Sequence, residues 1–332
     1  MAKIDLGSST TEKIGKQEML QRPLGATGIT VSQVGFGSWA IGGNTGIKGY
    51  GPSEHLVAED TVKAAFRAGI TLYDTADVYG EGVAESIIGA VLEPVRHNVV
   101  LCTKGGWDLS RGAPNLVPSY LHTCVTKSLK RLRTNFIDIY LLHNPPPHLI
   151  GIRETYRPLI ELRERGILGH IGVSVSCPNE ALLALDVPDV EVVQVPYNML
   201  IPDAEVQLFP LAAENGVGII AREALGNGLL TGKYNRETRF PKDDFRSDWP
   251  TGWIEGVLQQ VQIFNAYRRN GESMIDLALR FVLERPQVAS VVVGARNPEQ
   301  VSDHIRAGVV RPVSLPEFRS FTCHNLTKSE EK

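Results

Sequence analysis

Three ionisable side chains each end an apolar, β-branched stretch of this chain. Asp74 closes ITLYD (70–74), Lys104 closes VVLCTK (99–104) and His143 closes IDIYLLH (137–143), while a phenol, Tyr79, follows soon after Asp74. Taken singly, each has an ordinary structural interpretation, such as a helix cap or a hydrogen-bonded core histidine. If the stretches are parallel strands of one barrel, their carboxyl ends meet at one mouth and the four side chains gather there.

Side chains of these four types suit proton transfer to or from a carbonyl oxygen. A phenol, with a pKa of about 10, is a poor proton-transfer group at neutral pH, and a neighbouring ammonium lowers that pKa. We expect Lys104 to have this effect on Tyr79 and Asp74 to pair with Lys104. We expect His143 to hydrogen-bond the substrate oxygen and orient it toward Tyr79.

The rest of the chain alternates short β-branched stretches with segments of helical period, which predicts a parallel sheet. Four further strands are predicted at HIGVS (170–174), VVQV (192–195), GIIAR (218–222) and SVVVGA (290–295), and a first core strand ends at Gly37 and Ser38. Together these make eight strands, the number that a (β/α)8 barrel needs. The stretch 22–39 predicts an N-terminal β-hairpin that turns near ATG. We therefore predict a flexible tail over 1–18, a single (β/α)8 TIM barrel of the α/β class over 19–316, and a C-terminal tail over 317–332.

Composition excludes several classes of function. The net charge is −3, which gives no field that favours nucleic acid, and the basic stretch KSLKRLR (127–133) is interpreted as a solvated helix face. No CxxC pair, HExxH pattern or apolar run of membrane-spanning length is present, so we expect no metal site, no disulfide and no membrane partner. The sequence predicts a cytoplasmic protein. A long polar segment, 223–252, interrupts the alternation and is typical of a functional lid.

Six motifs together resemble the aldo-keto reductase superfamily, over about Arg22 to Pro312. They are DTADVYG (74–80), TKGG (103–106), SLKRLRTNFIDIYLLH (128–143), GVS (172–174), GLLTGKY (228–234) and VVVGARNPEQV (291–301). The resemblance implies a barrel oxidoreductase that interconverts a carbonyl (aldehyde, ketone or aldose) and an alcohol, using a nicotinamide cofactor as hydride donor or acceptor. It also implies that Asp74, Tyr79, Lys104 and His143 are the catalytic tetrad, with Tyr79 handling the proton.

The resemblance further implies a cofactor track across the barrel mouth. Ser174 and Gln194 would bind the nicotinamide carboxamide, and Val175 departs from the asparagine that is common after that serine. Arg222 stands where many members place an aromatic ring against the nicotinamide. The residues implied to bind the cofactor are Gly37, Ser38, Ser174, Gln194, Arg222, Leu225, Gly226, Leu229, Gly294, Arg296, Gln300, Asp303 and His304.

Arg296 decides the expected cofactor type. Its guanidinium is able to make charge-assisted bonds to a ribose 2′-phosphate, which favours NADP over NAD. Gly294 and Gln300, however, stand where many NADP-specific members carry basic residues. Arg296 is also open to interpretation as a solvated arginine at a helix start.

The sequence indicates the type of reaction more clearly than it indicates the substrate. Trp39 and Trp107 fall on mouth loops where family members line the substrate pocket, although both are open to a packing role. No residue selects among sugars, simple aldehydes and larger ketones, and the oligomeric state stays open. A second function also stays open, because some members of the superfamily resemble cofactor-binding regulatory subunits of a membrane or protein partner, with little turnover.

Overall fold

The computed structural model describes residues 19–309, and within that range eight parallel strands close into a barrel. The predicted single (β/α)8 barrel with its N-terminal hairpin is therefore confirmed. The predicted tails 1–18 and 317–332, and residues 310–316 of the predicted barrel domain, lie outside the described residues. The strands are β1 (Gln21–Pro23), β2 (Thr30–Ser32), β3 (Val34–Gly37), β4 (Leu72–Asp74), β5 (Val100–Gly105), β6 (Trp107–Asp108), β7 (Ala113–Pro114), β8 (Ile137–His143), β9 (Leu168–Ser174), β10 (Val192–Pro196), β11 (Gly218–Arg222) and β12 (Val288–Gly294).

The barrel takes its strands in chain order, β3, β4, β5, β8, β9, β10, β11 and β12, and then closes on β3. All eight predicted core strands are present. They are buried on both faces, because helices cover the outside and side chains fill the inside, and this explains their continuous β-branched stretches. The antiparallel pairs β1–β2 and β6–β7 stand apart from the barrel sheet.

The hairpin β1–β2 closes the amino-terminal end of the barrel. Leu24 and Val31 are fully buried against the apolar side chains that fill the interior. The Arg22 guanidinium donates to the carbonyls of Leu283, Arg285 and Val288 at 2.6–2.9 Å, which fixes the hairpin to the start of β12. Because this end is plugged, the opposite mouth is where a ligand would enter the barrel.

Helices surround the barrel and pack their apolar sides on it. They are α1 (His55–Arg67), α2 (Val83–Leu92), α3 (Pro118–Arg131), α4 (Pro147–Ile150), α5 (Arg153–Glu164), α6 (Pro178–Ala184), α7 (Leu208–Glu214), α8 (Thr251–Phe264), α9 (Met274–Leu283) and α10 (Pro298–Val309). Six of them, α1, α2, α3, α5, α7 and α9, correspond to segments of helical period in the sequence. Helix α8 carries a similar signal, since Leu258, Val261 and Phe264 are buried at helical spacing. Two glycines within it weaken that signal.

The loops at the carboxyl ends of the strands form the mouth. The predicted long polar segment is a loop that runs from β11 to the start of α8, with short 3₁₀ turns at Gly226–Thr231 and Phe245–Asp248. Within the described residues, no helix is long and apolar enough to cross a membrane. The same part of the chain holds no group of His, Cys, Asp and Glu residues placed to bind a metal ion.

Candidate active site

A cavity of about 480 Å³ opens at the carboxyl ends of the strands. Its lining extends from β3, β4 and β8, across β9, β10 and β11, to β12 and the start of α10. Most of the predicted site residues line it: Gly37, Trp39, Asp74, Tyr79, His143, Ser174, Gln194, Arg222, Leu225, Gly294, Arg296, Gln300 and His304. The structure therefore brings together residues that are more than 260 positions apart in the chain.

Lys104 lies at the base of this cluster and is fully buried. Its Nζ donates to both Asp74 carboxylate oxygens at 2.7 and 2.8 Å and to the Thr75 carbonyl at 2.8 Å. It also lies 3.4 Å from the Tyr79 hydroxyl. Burial alone would lower the pKa of Lys104, but the Asp74 carboxylate raises that pKa above its ordinary value. Lys104 is therefore a fixed ammonium beneath the phenol.

Tyr79 sits on a tight turn between β4 and α2. Gly80 has a φ of +60°, and a Cβ at this position would lie 1.9 Å from the Gly42 carbonyl oxygen, so only glycine allows the turn to approach the β3 loop this closely. The turn directs the phenol toward Lys104 and places its ring edge-on to His143, with 5.8 Å between ring centroids.

Opposing effects set the pKa of Tyr79. Burial, the largest effect, and the Asp74 carboxylate raise that pKa above its ordinary value, while the Lys104 ammonium lowers it, as expected. Tyr79 is accordingly protonated at neutral pH, which suits a proton donor.

His143 is a neutral imidazole. Burial, and then the cations Lys104 and Arg222, hold its pKa well below the usual value. Its Nδ1 is buried and has no hydrogen-bond partner in residues 19–309. A neutral ring carries one N–H, which is able to donate to a carbonyl oxygen held beside Tyr79.

The two residues expected to bind a carboxamide are joined to the Asp74–Lys104 ion pair. Gln194 Nε2 donates to Asp74 Oδ1 at 2.7 Å, and Ser174 Oγ donates to Gln194 Oε1 at 3.3 Å. A single hydrogen-bonded chain therefore connects β9 and β10 to the Asp74–Lys104 pair.

Arg222 follows at the end of β11. Its guanidinium pairs with Glu223 and donates from Nη2 to the Val175 carbonyl at 2.9 Å. The Arg222 Nε is buried and has no partner in the part of the chain that the structure describes. The side chain is thus held in place while one donor stays available beside the cavity.

At the far end of the cavity, Arg296 bridges two loops. Its guanidinium donates to the carbonyls of Tyr50 and Pro52 at 2.8 and 2.5 Å, and its backbone N–H donates to Gln300 Oε1 at 2.8 Å. Burial lowers the pKa of nearby His304 to about 4, so this ring is neutral. The guanidinium expected to meet a phosphate therefore also holds the β3–α1 loop.

Some predicted residues lie off the cavity surface. Lys104 is beneath it, and Trp107 belongs to the separate β6–β7 pair, where its carbonyl accepts from Tyr120. The others that do not line the cavity are Ser38, Gly226, Leu229 and Asp303. The structure thus gives Trp107 no place in the cavity wall, because β6 turns away with β7 after β5.

Several lining residues were not predicted from the sequence. Among them, Tyr50 packs against the predicted Trp39 with 5.1 Å between ring centroids, and Arg246 donates to the Tyr234 hydroxyl at 2.9 Å. Further unpredicted lining residues are Ile47, Glu223, Asn227, Thr231 and Lys233. The sequence indicates these residues only by their position, since all lie in loops that follow β3 or β11 at the mouth.

The chain is similar to known proteins over most of its length. Residues 33–323 match the family model described as the Aldo/keto reductase family. The chain is 34% identical over 284 residues to Aldo-keto reductase YhdN of Bacillus subtilis (strain 168), covering 83% of this chain and 84% of that protein. It is 32% identical over 308 residues to the NADH-specific methylglyoxal reductase of Escherichia coli (strain K12), covering 87% and 93%.

A solved structure has a similar fold. The glycerol dehydrogenase AKR11B4 from Gluconobacter oxydans superposes with a TM-score of 0.76 at 29% identity, covering 93% of this chain and 95% of that one. With a family model matched over most of its length and relatives above 30% identity, this chain belongs to the aldo/keto reductase family of oxidoreductases.

Proposed function

We propose that the protein interconverts a carbonyl compound and an alcohol with a nicotinamide cofactor, and that Tyr79 exchanges the proton. The observation that carries this proposal is the position of the Tyr79 hydroxyl, 3.4 Å from a fully buried lysine that is ion-paired with Asp74, on the wall of a large cavity. An acid–base group so placed is typical of enzymes that protonate a developing alkoxide.

Each of the four residues has a role in the proposed reaction. When bound, reduced nicotinamide supplies a hydride, two electrons and one hydrogen nucleus, to the carbonyl carbon. The carbonyl oxygen takes its proton from Tyr79, so one carbonyl, one NAD(P)H and one proton give one alcohol and one NAD(P)⁺. The neutral His143 ring donates a hydrogen bond to the same oxygen and orients it. Lys104 stabilises the phenolate that forms at Tyr79, and Asp74 keeps Lys104 in place.

The residues present fit a dinucleotide. The cavity runs from the catalytic cluster to α10, and at the catalytic end the Arg222 Nε and the Asn144 Oδ1 are buried without a partner among residues 19–309. Ser174, Gln194 and Arg222 would hold the nicotinamide end.

We propose NADP as the cofactor. Arg296 and Lys233 both border the adenosine end, and two of the five guanidinium N–H groups of Arg296 are used by carbonyls, which leaves donors for a 2′-phosphate. The name of the Escherichia coli relative, which is NADH-specific, points the other way. Direct comparison of the two cofactors decides between them.

The proposed substrates are short-chain aldehydes, ketones or aldoses. Trp39 stacks on Tyr79 with 6.2 Å between ring centroids, and Tyr50 packs against Trp39, so aromatic rings narrow the space beside the proton donor. The two relatives named for methylglyoxal and glycerol act on compounds of this size.

The test is a fluorescence titration with NADPH and NADH, followed by a panel of aldehydes, ketones and aldoses with the preferred cofactor. Rapid oxidation of the cofactor by part of the panel supports the proposal. A protein that binds the cofactor tightly, stays silent across the panel and co-purifies with a membrane protein would instead support the regulatory-subunit function.

A further inference from the structure

The catalytic end of the cavity carries a cation in addition to Lys104. Arg222 lies at the carboxyl end of β11, largely buried, where Glu223 and the Val175 carbonyl hold its guanidinium. Lys104 lies beneath the cavity and is ion-paired with Asp74, whereas the Arg222 guanidinium borders the cavity itself. The proposed function places Arg222 at the nicotinamide end but gives its positive charge no part in the reaction.

Arg222 lines the same cavity as Tyr79 and His143, and the Val175 carbonyl, just after the end of β9, holds its guanidinium. Its charge acts on both groups that would hold the carbonyl oxygen, because it lowers the pKa of His143 and opposes the raised pKa of Tyr79. Hydride transfer requires the donor carbon within about 3.5 Å of the carbonyl carbon. A nicotinamide ring that reacts with a carbonyl held by Tyr79 and His143 would therefore lie in the cavity that Arg222 also borders.

Glu223 compensates only part of this charge. Besides pairing with Arg222, it accepts from Asn227 Nδ2 at 3.3 Å, and Asn227 in turn accepts from the Tyr50 hydroxyl at 3.0 Å. These contacts hold the carboxylate toward the mouth loops. Burial and the charges of Lys104 and Arg222 hold the pKa of His143 low.

The two redox states of the cofactor differ in charge at this place. The oxidised nicotinamide ring carries a positive charge and the reduced ring is neutral, so a fixed cation nearby repels only the oxidised form. We propose that Arg222 makes this site discriminate between the redox states of its cofactor, binding the reduced form more tightly, with Glu223 setting the degree of discrimination. This inference rests on the proposed function. Tighter binding of the reduced cofactor favours carbonyl reduction, since the oxidised cofactor is then readily released.

The test measures the dissociation constants of the reduced and oxidised forms of the preferred cofactor, by fluorescence and by calorimetry, in the wild type and three variants. Arg222→Gln should lower the ratio Kd(oxidised)/Kd(reduced) by roughly tenfold. Arg222→Lys should keep most of the wild-type ratio. Glu223→Gln should raise the ratio. Both constants come from one preparation, so a partly misfolded fraction cancels in the ratio.

The control is Glu161→Gln, which removes a negative charge on the outer face of α5, where Glu161 pairs with Arg157, and should leave the ratio unchanged. A ratio that stays within about twofold of wild type in Arg222→Gln, or that moves in the same direction in Arg222→Gln and Glu223→Gln, would overturn the inference while leaving the proposed function intact. If the wild-type protein binds neither cofactor form, the proposed function fails and this inference fails with it.

Discussion

Gln194 donates from Nε2 to Asp74 Oδ1 over 2.7 Å, which joins β10 to β4 across the interior of the barrel. Both side chains are buried, and the same Asp74 carboxylate accepts from Lys104. The position of the Asp74–Lys104 ion pair therefore depends on an amide from a distant strand.

Replacing Gln194 by Ala should lower the free energy of unfolding by about 1.5–3 kcal/mol, because a hydrogen bond to a buried charged group is lost. Urea denaturation measures this loss. Gln262→Ala, on the exposed side of α8, is the matched control and should change stability by less than about 0.5 kcal/mol. A stability of Gln194→Ala equal to that of the control would contradict the structural role of this bond.

Tyr79→Phe should reduce carbonyl reduction by roughly 10²- to 10⁴-fold, because the proton donor is removed. Cofactor affinity should stay close to wild type, since the ring and its packing on Trp39 are kept. Steady-state kinetics and fluorescence titration measure the two effects separately. Tyr120→Phe removes a hydroxyl that donates to the Trp107 carbonyl and does not line the cavity, and it should keep full activity. Retention of more than about a tenth of wild-type turnover in Tyr79→Phe would refute the role.

The barrel and the meeting of three ionisable side chains at its mouth were predictable because both follow from local pattern. Each core strand is a β-branched stretch, and parallel strands that close into a barrel must bring Asp74, Lys104 and His143 to one mouth. The pKa of Tyr79 was not predictable in the same way. Its direction depends on how completely the phenol is buried, and burial is a property of the folded chain rather than of the DTADVYG motif.

The contacts of the mouth loops were also not predictable from the sequence. Arg296 was expected to face a phosphate, and nothing in VVVGARNPEQV indicates that its guanidinium reaches the Tyr50 and Pro52 carbonyls. Loops pair through single contacts of irregular geometry, which leave no periodic signal. The aromatic packing of Trp39 on Tyr50 and Phe245 was not predictable for the same reason.

Acid should destabilise the protein through His304. Its pKa is about 4 in the folded protein, because the ring is buried, and about 6.5 in the unfolded chain, so the unfolded state binds more protons between these pH values. Stability from this group is present above pH ~6.5 and is lost as pH falls to ~4, by about 3 kcal/mol in total. Urea denaturation across this window should show a flatter pH dependence for His304→Gln than for wild type. His55→Gln, at an exposed position, is the control, and identical slopes for wild type and His304→Gln would show that His304 has no part in acid sensitivity.

Arg296→Ala should separate two roles of one guanidinium. If Arg296 binds a 2′-phosphate, its loss weakens NADPH binding more than NADH binding, by roughly tenfold or more in the ratio, since a charge-assisted contact is worth about 1.5–3 kcal/mol. If Arg296 only holds the β3–α1 loop through the Tyr50 and Pro52 carbonyls, both cofactors lose affinity equally. Fluorescence titration of both cofactors measures the two losses. Arg268→Ala, an exposed arginine at the end of the segment after α8, is the control and should change neither affinity. Equal losses in Arg296→Ala would remove the reason to prefer NADP, because no phosphate-specific contact would then depend on this side chain.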